Sequence, residues 1–314
     1  MMDINGYLKN LGRFILNSAE DYARKNNKPT RHPIKEIGTT VIEGIAKDEP
    51  IVETVEEPVR NEKPFLRDSD KEFIKLYKQL TYRHNSWSVW SDFVTTFACS
   101  LSNPVDKEHF EERENLYLKI INKYSKDEQQ IFPKLAAETV MALERNPEQD
   151  FLGKIYMNLG LGSKSTSQFF TPYHICQLMA AVSVGNVVDE VNEKGYISIN
   201  DPTCGAGATL IAGVHEVRKQ LEKVNMNFQN HVLVVGQDID FTVAMMCYIQ
   251  LSLLGVAGYI KVGNSLTEPM TTDDTTENYW FTPMYFSTVW RTRRMLQKVD
   301  SITRKEEKNG NTIT

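Results

Sequence analysis

The chain has 314 residues, 41% of them hydrophobic and 25% charged, with a formal net charge of -5. That length and apolar content suit one large or two medium soluble domains with a real core. The charge excludes a uniformly basic, nucleic-acid-coating protein but leaves room for a local basic patch. The four cysteines, Cys99, Cys176, Cys204 and Cys247, form no CxxC pair, and no His/Cys cluster has zinc-like spacing. Neither a disulfide framework nor a metal site is expected. Cys176 and Cys247 stand in apolar stretches and read as small buried side chains. The opening Met1-Met2-Asp3-Ile4-Asn5-Gly6 lacks the basic and apolar regions of a signal peptide. No apolar run reaches membrane-spanning length, so a cytoplasmic protein without a membrane partner is expected.

Residues 1–25 predict an amphipathic helix with Leu8, Leu11, Phe14 and Ile15 on one side. Residues 26–68 hold Pro29, Pro33, Pro50, Pro58 and Pro64 without a durable helical period, and read as an extended or disordered linker. A helical domain is expected over 69–165. There Phe73-Ile74-Lys75-Leu76-Tyr77 and Trp87, Trp90, Phe93, Phe97 place apolar residues three or four apart. Asp106 and Asp127 are expected to cap the helices that follow them. Trp87 and Trp90 could offer a base-stacking platform, but a helix–helix core explains the same spacing better.

An α/β unit is expected over 166–290. Thr171-Pro172 opens a helix whose buried stripe would be Ile175, Leu178, Met179 and Val182. Strand 197–200, a glycine loop, helix 208–222, strand 231–235, helix 241–254 and strand 259–262 then alternate as a parallel βαβαβ unit. Met270 to Asn278 is polar and threonine-rich with no strand expected, and 284–299 reads as one helix. Three strands make a truncated sheet, and there is no internal repeat. The tail, 291–314, carries seven basic against three acidic residues. Arg291, Arg294 and Lys298 share a helical face suited to phosphate contact, with a solvated tail as the competing reading.

The chemistry concentrates in the turns after the strands. Asp201-Pro202-Thr203-Cys204-Gly205-Ala206-Gly207 follows the first strand, and Gly205 and Gly207 let backbone approach a ligand. The loop lacks the three spaced glycines of a diphosphate site. Asp201 can receive an ammonium group; a purely structural turn could use the same glycines. Asp238 follows the second strand, where a carboxylate can bind two ribose hydroxyls, while Asp240 suits a helix cap. Asn264 follows the third strand and can address an adenine edge or make an Asn turn. Phe169-Phe170-Thr171-Pro172 can pack aromatic surface beside a ligand or staple a helix start. His84, His109, His174 and His215 are scattered, and none is assigned to catalysis.

Gln168-Phe169-Phe170-Thr171-Pro172, the Asp201–Gly207 loop, Gln237-Asp238-Ile239-Asp240 and Gly263-Asn264-Ser265-Leu266 come in the order seen in N6-adenine DNA methyltransferases. The chain resembles the modification subunit of type I restriction systems and stand-alone phage-borne relatives. Asp150-Phe151-Leu152-Gly153-Lys154-Ile155-Tyr156 also fits, and the resemblance covers roughly 85–290. It implies a truncated Rossmann-like fold that binds S-adenosylmethionine (SAM), preceded by an α-helical domain. Phe169, Phe170 and Thr171 would border SAM, Asp201 would hold its amino-acid end and Asp238 its ribose, with Gly205 and Gly207 forming the loop. Asn264 stands where many relatives have aspartate. The implied acceptor is the N6 amino group of adenine in DNA, with the base flipped out.

The family's Asn/Asp-Pro-Pro-aromatic motif is missing. Asn278-Tyr279-Trp280-Phe281 is the nearest match, with Asn278 and Phe281 as catalytic candidates, but it lacks both prolines and a preceding apolar strand. Two readings stay open: an adenine-N6 methyltransferase, or an inactive methylase-fold protein that binds or regulates a methylase or specificity-type partner. An RNA or small-molecule methyltransferase is a third.

Overall fold

The computed structural model describes residues 69–162 and 170–297. The helix expected in 1–25, the linker 26–68, Phe169, Lys298 and the remaining tail lie outside the described residues.

Six helices come first: α1 (Ser69–Thr81), α2 (Ser86–Ser102), α3 (Phe110–Ile121), α4 (Lys126–Gln129), α5 (Ile131–Arg145) and α6 (Phe151–Asn158). Their apolar spacing turns one face of each inward. Phe73 meets Trp90, Phe93 and Phe151 with ring centroids 5.5–6.0 Å apart. Trp90 is fully buried and points its indole N–H at Met246 Sδ, 3.4 Å away, while Trp87 is half exposed. The two therefore do not form a stacking platform.

Two expected caps are corrected. Asp106 is buried in an ion pair, 2.7 Å from Arg113 Nη1 and 2.9 Å from His109 Nδ1. The helix after it starts only at Phe110, without a side-chain cap. In place of Asp127, Ser125 caps the short α4 through a capping box with Glu128, and α5 starts at Ile131. Asp127 lies inside the first turn, after the cap position.

The second half runs α7 (Tyr173–Ser183), α8 (Val187–Lys194), β1 (Ile197–Asp201), α9 (Ala208–Glu222), β2 (Val232–Asp238), α10 (Phe241–Leu253), β3 (Ala257–Val262) and β4 (Tyr279–Phe281). A 3-10 turn, Pro283–Phe286, and helix α11 over 288–297 follow. The strands form one sheet in the order β1-β2-β3-β4, with the first three parallel and β4 antiparallel to β3. This mixed helix and sheet architecture has one continuous core, running from Phe73 through α10 to Trp280. The early helices thus share their interior with the sheet. No helix among the described residues is long and apolar enough to cross a membrane.

Four features differ from expectation. The fourth strand, Tyr279–Phe281, was not foreseen, because long-range contacts hold its three residues. Arg113 donates to the Tyr279 carbonyl at 2.7 Å, and its guanidinium lies 3.9 Å over Trp280. Thr282 Oγ accepts from Gly258 N–H at 3.0 Å and donates to the Val256 carbonyl at 2.7 Å. The helix expected from 284 starts at 288, after the 3-10 turn. Helix α8 was also not foreseen; Asn186 caps its start and Gly195, at φ 81°, closes its end. On α7 the expected buried stripe is exposed: Ile175 39%, Leu178 62%, Met179 48% and Val182 80%. Small side chains face inward instead, Cys176 and Ala180 packing against Ala208 and Ala212 of α9.

Arg113 joins α3 to β4 from a buried position, so its loss leaves Asp106 short of a charge partner. Arg113→Met is expected to cost about 3–5 kcal/mol in urea unfolding. An unchanged midpoint would remove Arg113 as the brace between helices and sheet.

Candidate functional site at the carboxyl ends of the parallel strands

The register sets Asp201 opposite Gly236 and Asp238 opposite Val262, so the turns after β1, β2 and β3 meet at one edge of the sheet. This is the place where open α/β sheets take ligands. In the first turn Asp201 Oδ1 accepts from Thr203 N–H at 3.0 Å. Cys204 N–H donates to the Gln237 carbonyl at 2.9 Å. Gly205 N–H donates to Asp238 Oδ2, also at 2.9 Å, and so locks the first turn to the second.

Gly205 and Gly207 have φ of +55° and +97°, in the left-handed region. A Cβ at Gly207 would stand 2.8 Å from Cys247 Sγ and 3.4 Å from its Cα. Phe170 lies beside the loop, its ring 3.6 Å from a Cβ placed on Gly205, and it packs against Tyr156 with ring centroids 5.5 Å apart. The aromatic segment is thereby brought to the glycine turn. Thr171 is exposed beside it.

The two acids of the second turn have separate tasks. Asp240 caps α10 by accepting from Val243 N–H at 3.2 Å. Asp238 accepts from Gly205 and from Asp240 N–H, the latter at 3.0 Å. Burial raises the Asp238 pKa, and those two N–H groups pull it back in part. In the third turn Asn264 Oδ1 accepts from Leu266 N–H at 2.9 Å and Thr267 N–H at 3.3 Å. This is an Asn turn that engages the side-chain oxygen. Buried Lys261 bonds Asp274 at 2.5 Å, and Tyr279 Oη donates to Asp274 at 2.6 Å, pinning the loop from 263 to 278. Residues 201–207 and 236–240 contain three aspartates and neither Lys nor Arg. Such turns suit a ligand with a positive end and repel a diphosphate. Among the described residues no group of three His, Cys, Asp or Glu could hold a metal ion.

Two supporting residues were given no role in the sequence, although Asp150 opens a segment that fits the resemblance. Gln250, on the apolar α10, donates to the Ala206 carbonyl at 2.9 Å and to Asp150 Oδ1 at 2.7 Å, and accepts from Leu152 N–H at 3.1 Å. Asp150 also caps α6, accepting from Gly153 N–H at 2.8 Å. The signal for Gln250 was a lone amide inside Met245-Met246-Cys247-Tyr248-Ile249-Gln250-Leu251. Such an amide needs internal partners.

The remaining candidates lie apart. Asn278 is exposed, and its carbonyl accepts from Val262 N–H at 2.9 Å, at the same end of β3 as Asn264. Strand β4 then runs away from that end, leaving Phe281 opposite Tyr259 and stacked on Tyr285 at 4.8 Å. Asn278 sits in the turn before β4 and Phe281 at the far end of that strand, so the two are not brought together. Arg294 lies 3.8 Å over Tyr285 and donates to its carbonyl at 2.7 Å, whereas Arg291 is exposed.

Gly207→Ala, strained by φ and by Cys247, is expected to destabilise the fold by about 1–3 kcal/mol in urea unfolding. A stability equal to wild type would show that the loop tolerates a Cβ. Burial raises the Asp150 pKa, with hydrogen bonds from Gln250 and Gly153 opposing. Its neutral form is therefore favoured by folding. The associated stability is full below the ordinary carboxylate pKa and is lost as pH rises through the raised value. Wild-type stability relative to Asp150→Asn is expected to fall as pH rises from about 4 to 7; a difference independent of pH would refute this.

The family model for N-6 DNA Methylase matches residues 148–312. Among solved structures, the chain is similar to the methyltransferase subunit of a type I restriction-modification system from Streptococcus thermophilus. Identity is 16% and the TM-score 0.33, over 85% of this chain and 61% of that one. The chain thus spans about 61% of that subunit's length. The likeness is loose, and no part of the site rests on it. The family match includes all three turns of the site and covers just over half of the sequence: the chain belongs to the N-6 DNA Methylase family.

Proposed function

We propose that this chain binds SAM at the three turns and serves transfer of its methyl group to the N6 amino group of adenine in DNA. The observation that carries this reading is the hydrogen bond from Gly205 N–H to Asp238 Oδ2, which joins the glycine turn to the acidic turn. The donor set fits SAM. The ligand's amino-acid end is cationic at its ammonium and its ribose carries two hydroxyls; the turns offer carboxylates without a basic group. Asp201 Oδ2, without a protein partner among the described residues, receives the ammonium. Asp238 accepts from the ribose hydroxyls with its remaining lone pairs. Asn264 offers its NH2 to the adenine edge, and Phe170 with Thr171 closes the loop side. SAM supplies a methyl group made electrophilic by its sulfonium, so no metal is required of the chain.

The acceptor side rests on fewer residues. Asn278 lies at the carboxyl end of β3, where its side-chain oxygen can accept from an adenine amino group. Strand β1 is an edge strand among the described residues, with Ser198 and Asn200 exposed. That open edge, beside the Asp201 turn, favours a second reading: a partner-dependent subunit or an inactive methylase-fold protein acting on a methylase or specificity-type partner.

Transfer of labelled methyl from SAM to unmethylated DNA, with SAM affinity measured on the same preparation, separates the readings. Asp201→Ala is expected to weaken SAM binding about 10-fold or more, as loss of a charge-assisted bond. Wild-type affinity in the folded variant would remove Asp201 from the site. Label on adenine N6 establishes the methyltransferase; SAM binding without transfer favours the partner-dependent or inactive protein.

A further inference from the structure

Helices α9 and α10 cover one face of the sheet, where Val232, Val234 and Ile260 are buried. The opposite face is only partly covered. Ser198 and Asn200 of β1 are exposed there, and Leu233, Val235 and Tyr259 are half-buried. The register sets Phe281 of β4 beside Tyr259 on this face. The 3-10 turn then folds Tyr285 and Phe286 back onto it. Phe281 and Tyr285 stack at 4.8 Å with 27° between planes. Phe286 meets the two edge-on at 6.1 and 5.7 Å. None of the three residues is fully buried.

The charge beside these rings runs against that of the whole chain. Residues 288–297 contain Arg291, Arg293 and Arg294 and no acidic residue, in a chain of net charge -5. Arg294 lies over Tyr285 at 3.8 Å. Arg291, one turn earlier, is exposed, close enough to act on Arg294 as a like charge, and its side chain has no partner among the described residues. A cluster of partly exposed aromatic residues beside arginines matches a polyanion that carries flat bases. Duplex DNA would engage the arginines but keep its bases inside; an unpaired strand uses both.

We propose that the sheet face formed by Phe281, Tyr285 and Phe286 with Arg291 and Arg294 binds a single-stranded DNA segment. The inference rests on the reading of the chain as acting on DNA and adds where an unpaired strand lies. Strand β4 runs from Asn278, at the carboxyl end of β3, to this face, which lies toward the amino end of β3.

The test is fluorescence anisotropy of a labelled single-stranded DNA of about 20 nucleotides, without SAM, against the same sequence as duplex and as single-stranded RNA. Wild type is expected to prefer the single-stranded DNA. Arg291→Ala is expected to reduce the magnitude of the log–log salt slope by about 0.7. Phe281→Leu is expected to weaken binding roughly 5- to 100-fold. Circular dichroism checks that the variants fold, and Phe286→Leu replaces Phe281→Leu if the latter does not. The proposal falls if wild type binds no nucleic acid, which would leave the face to a protein. It falls equally if duplex or RNA binds better, or if a folded ring variant keeps wild-type affinity. SAM affinity on the same proteins keeps the two readings apart: SAM binding without strand binding sinks this inference alone, and strand binding without SAM binding sinks the cofactor reading.

Discussion

The site depends on one buried amide. Gln250 lies in a helix that is otherwise almost wholly apolar and buried, and there an unsatisfied polar group would cost roughly 1–3 kcal/mol. Its NH2 is satisfied by the Ala206 carbonyl, inside the glycine turn, and by Asp150, at the start of α6. Its oxygen is satisfied by the backbone of Leu152. Two segments far apart in sequence, the start of α6 and the glycine turn, are therefore both tied to α10 by one side chain. The glycine turn takes its shape from this bond on one side, from Asp238 on another and from Cys247 beneath. A turn determined from three directions is preorganised, and little of its order has to be created when a ligand arrives.

A second buried polar group performs the same service for the other end of the sheet. Arg113 is held by Asp106 and Ser102 and reaches the backbone of Tyr279 and the face of Trp280. Without it, three residues after a polar loop would have weak reason to become a strand. The early helices thus act as the frame for β4 as well as a cover for α10. Lys261 and Asp274 then fasten the loop between β3 and β4, so the position of Asn278 follows from two buried cations and not from its own neighbours in sequence.

The parallel part of the sheet was legible because its signals are local. Apolar runs bounded by Asp-Pro, Gly-Gln-Asp and Gly-Asn located β1, β2 and β3, and helix α9 matches its expected limits, 208–222. The meeting of the three turns at one end of the sheet was legible for the same reason: glycines or polar residues follow each strand directly. What escaped was set by contacts across the chain. The stripe Ile175, Leu178, Met179 and Val182 has helical spacing, yet spacing alone does not say which flank is covered, and Cys176 and Ala180 meet α9 because they are small. Asp106 was read as a cap because an acidic helix follows it; its pairing with Arg113, seven residues on, is set by long-range contacts that reach β4. Gln250 and Asp150 stand 100 residues apart, and only the fold makes them neighbours.

Helix α7 contains no Asp, Glu, Lys or Arg, and β1, at the edge of the sheet, has no lysine, proline or bulge of the kind that discourages edge pairing. This makes the chain anisotropic as a colloid. Its net negative charge keeps copies apart at long range, but at physiological ionic strength that repulsion fades beyond about 8 Å. At contact, the exposed Ile175, Leu178, Met179 and Val182 of α7 offer apolar surface that no charged side chain of that helix interrupts. Added salt weakens the repulsion, and sulfate or phosphate strengthens apolar burial at the same time, so both push in one direction. Low ionic strength is the regime in which the net charge still opposes contact through that helix.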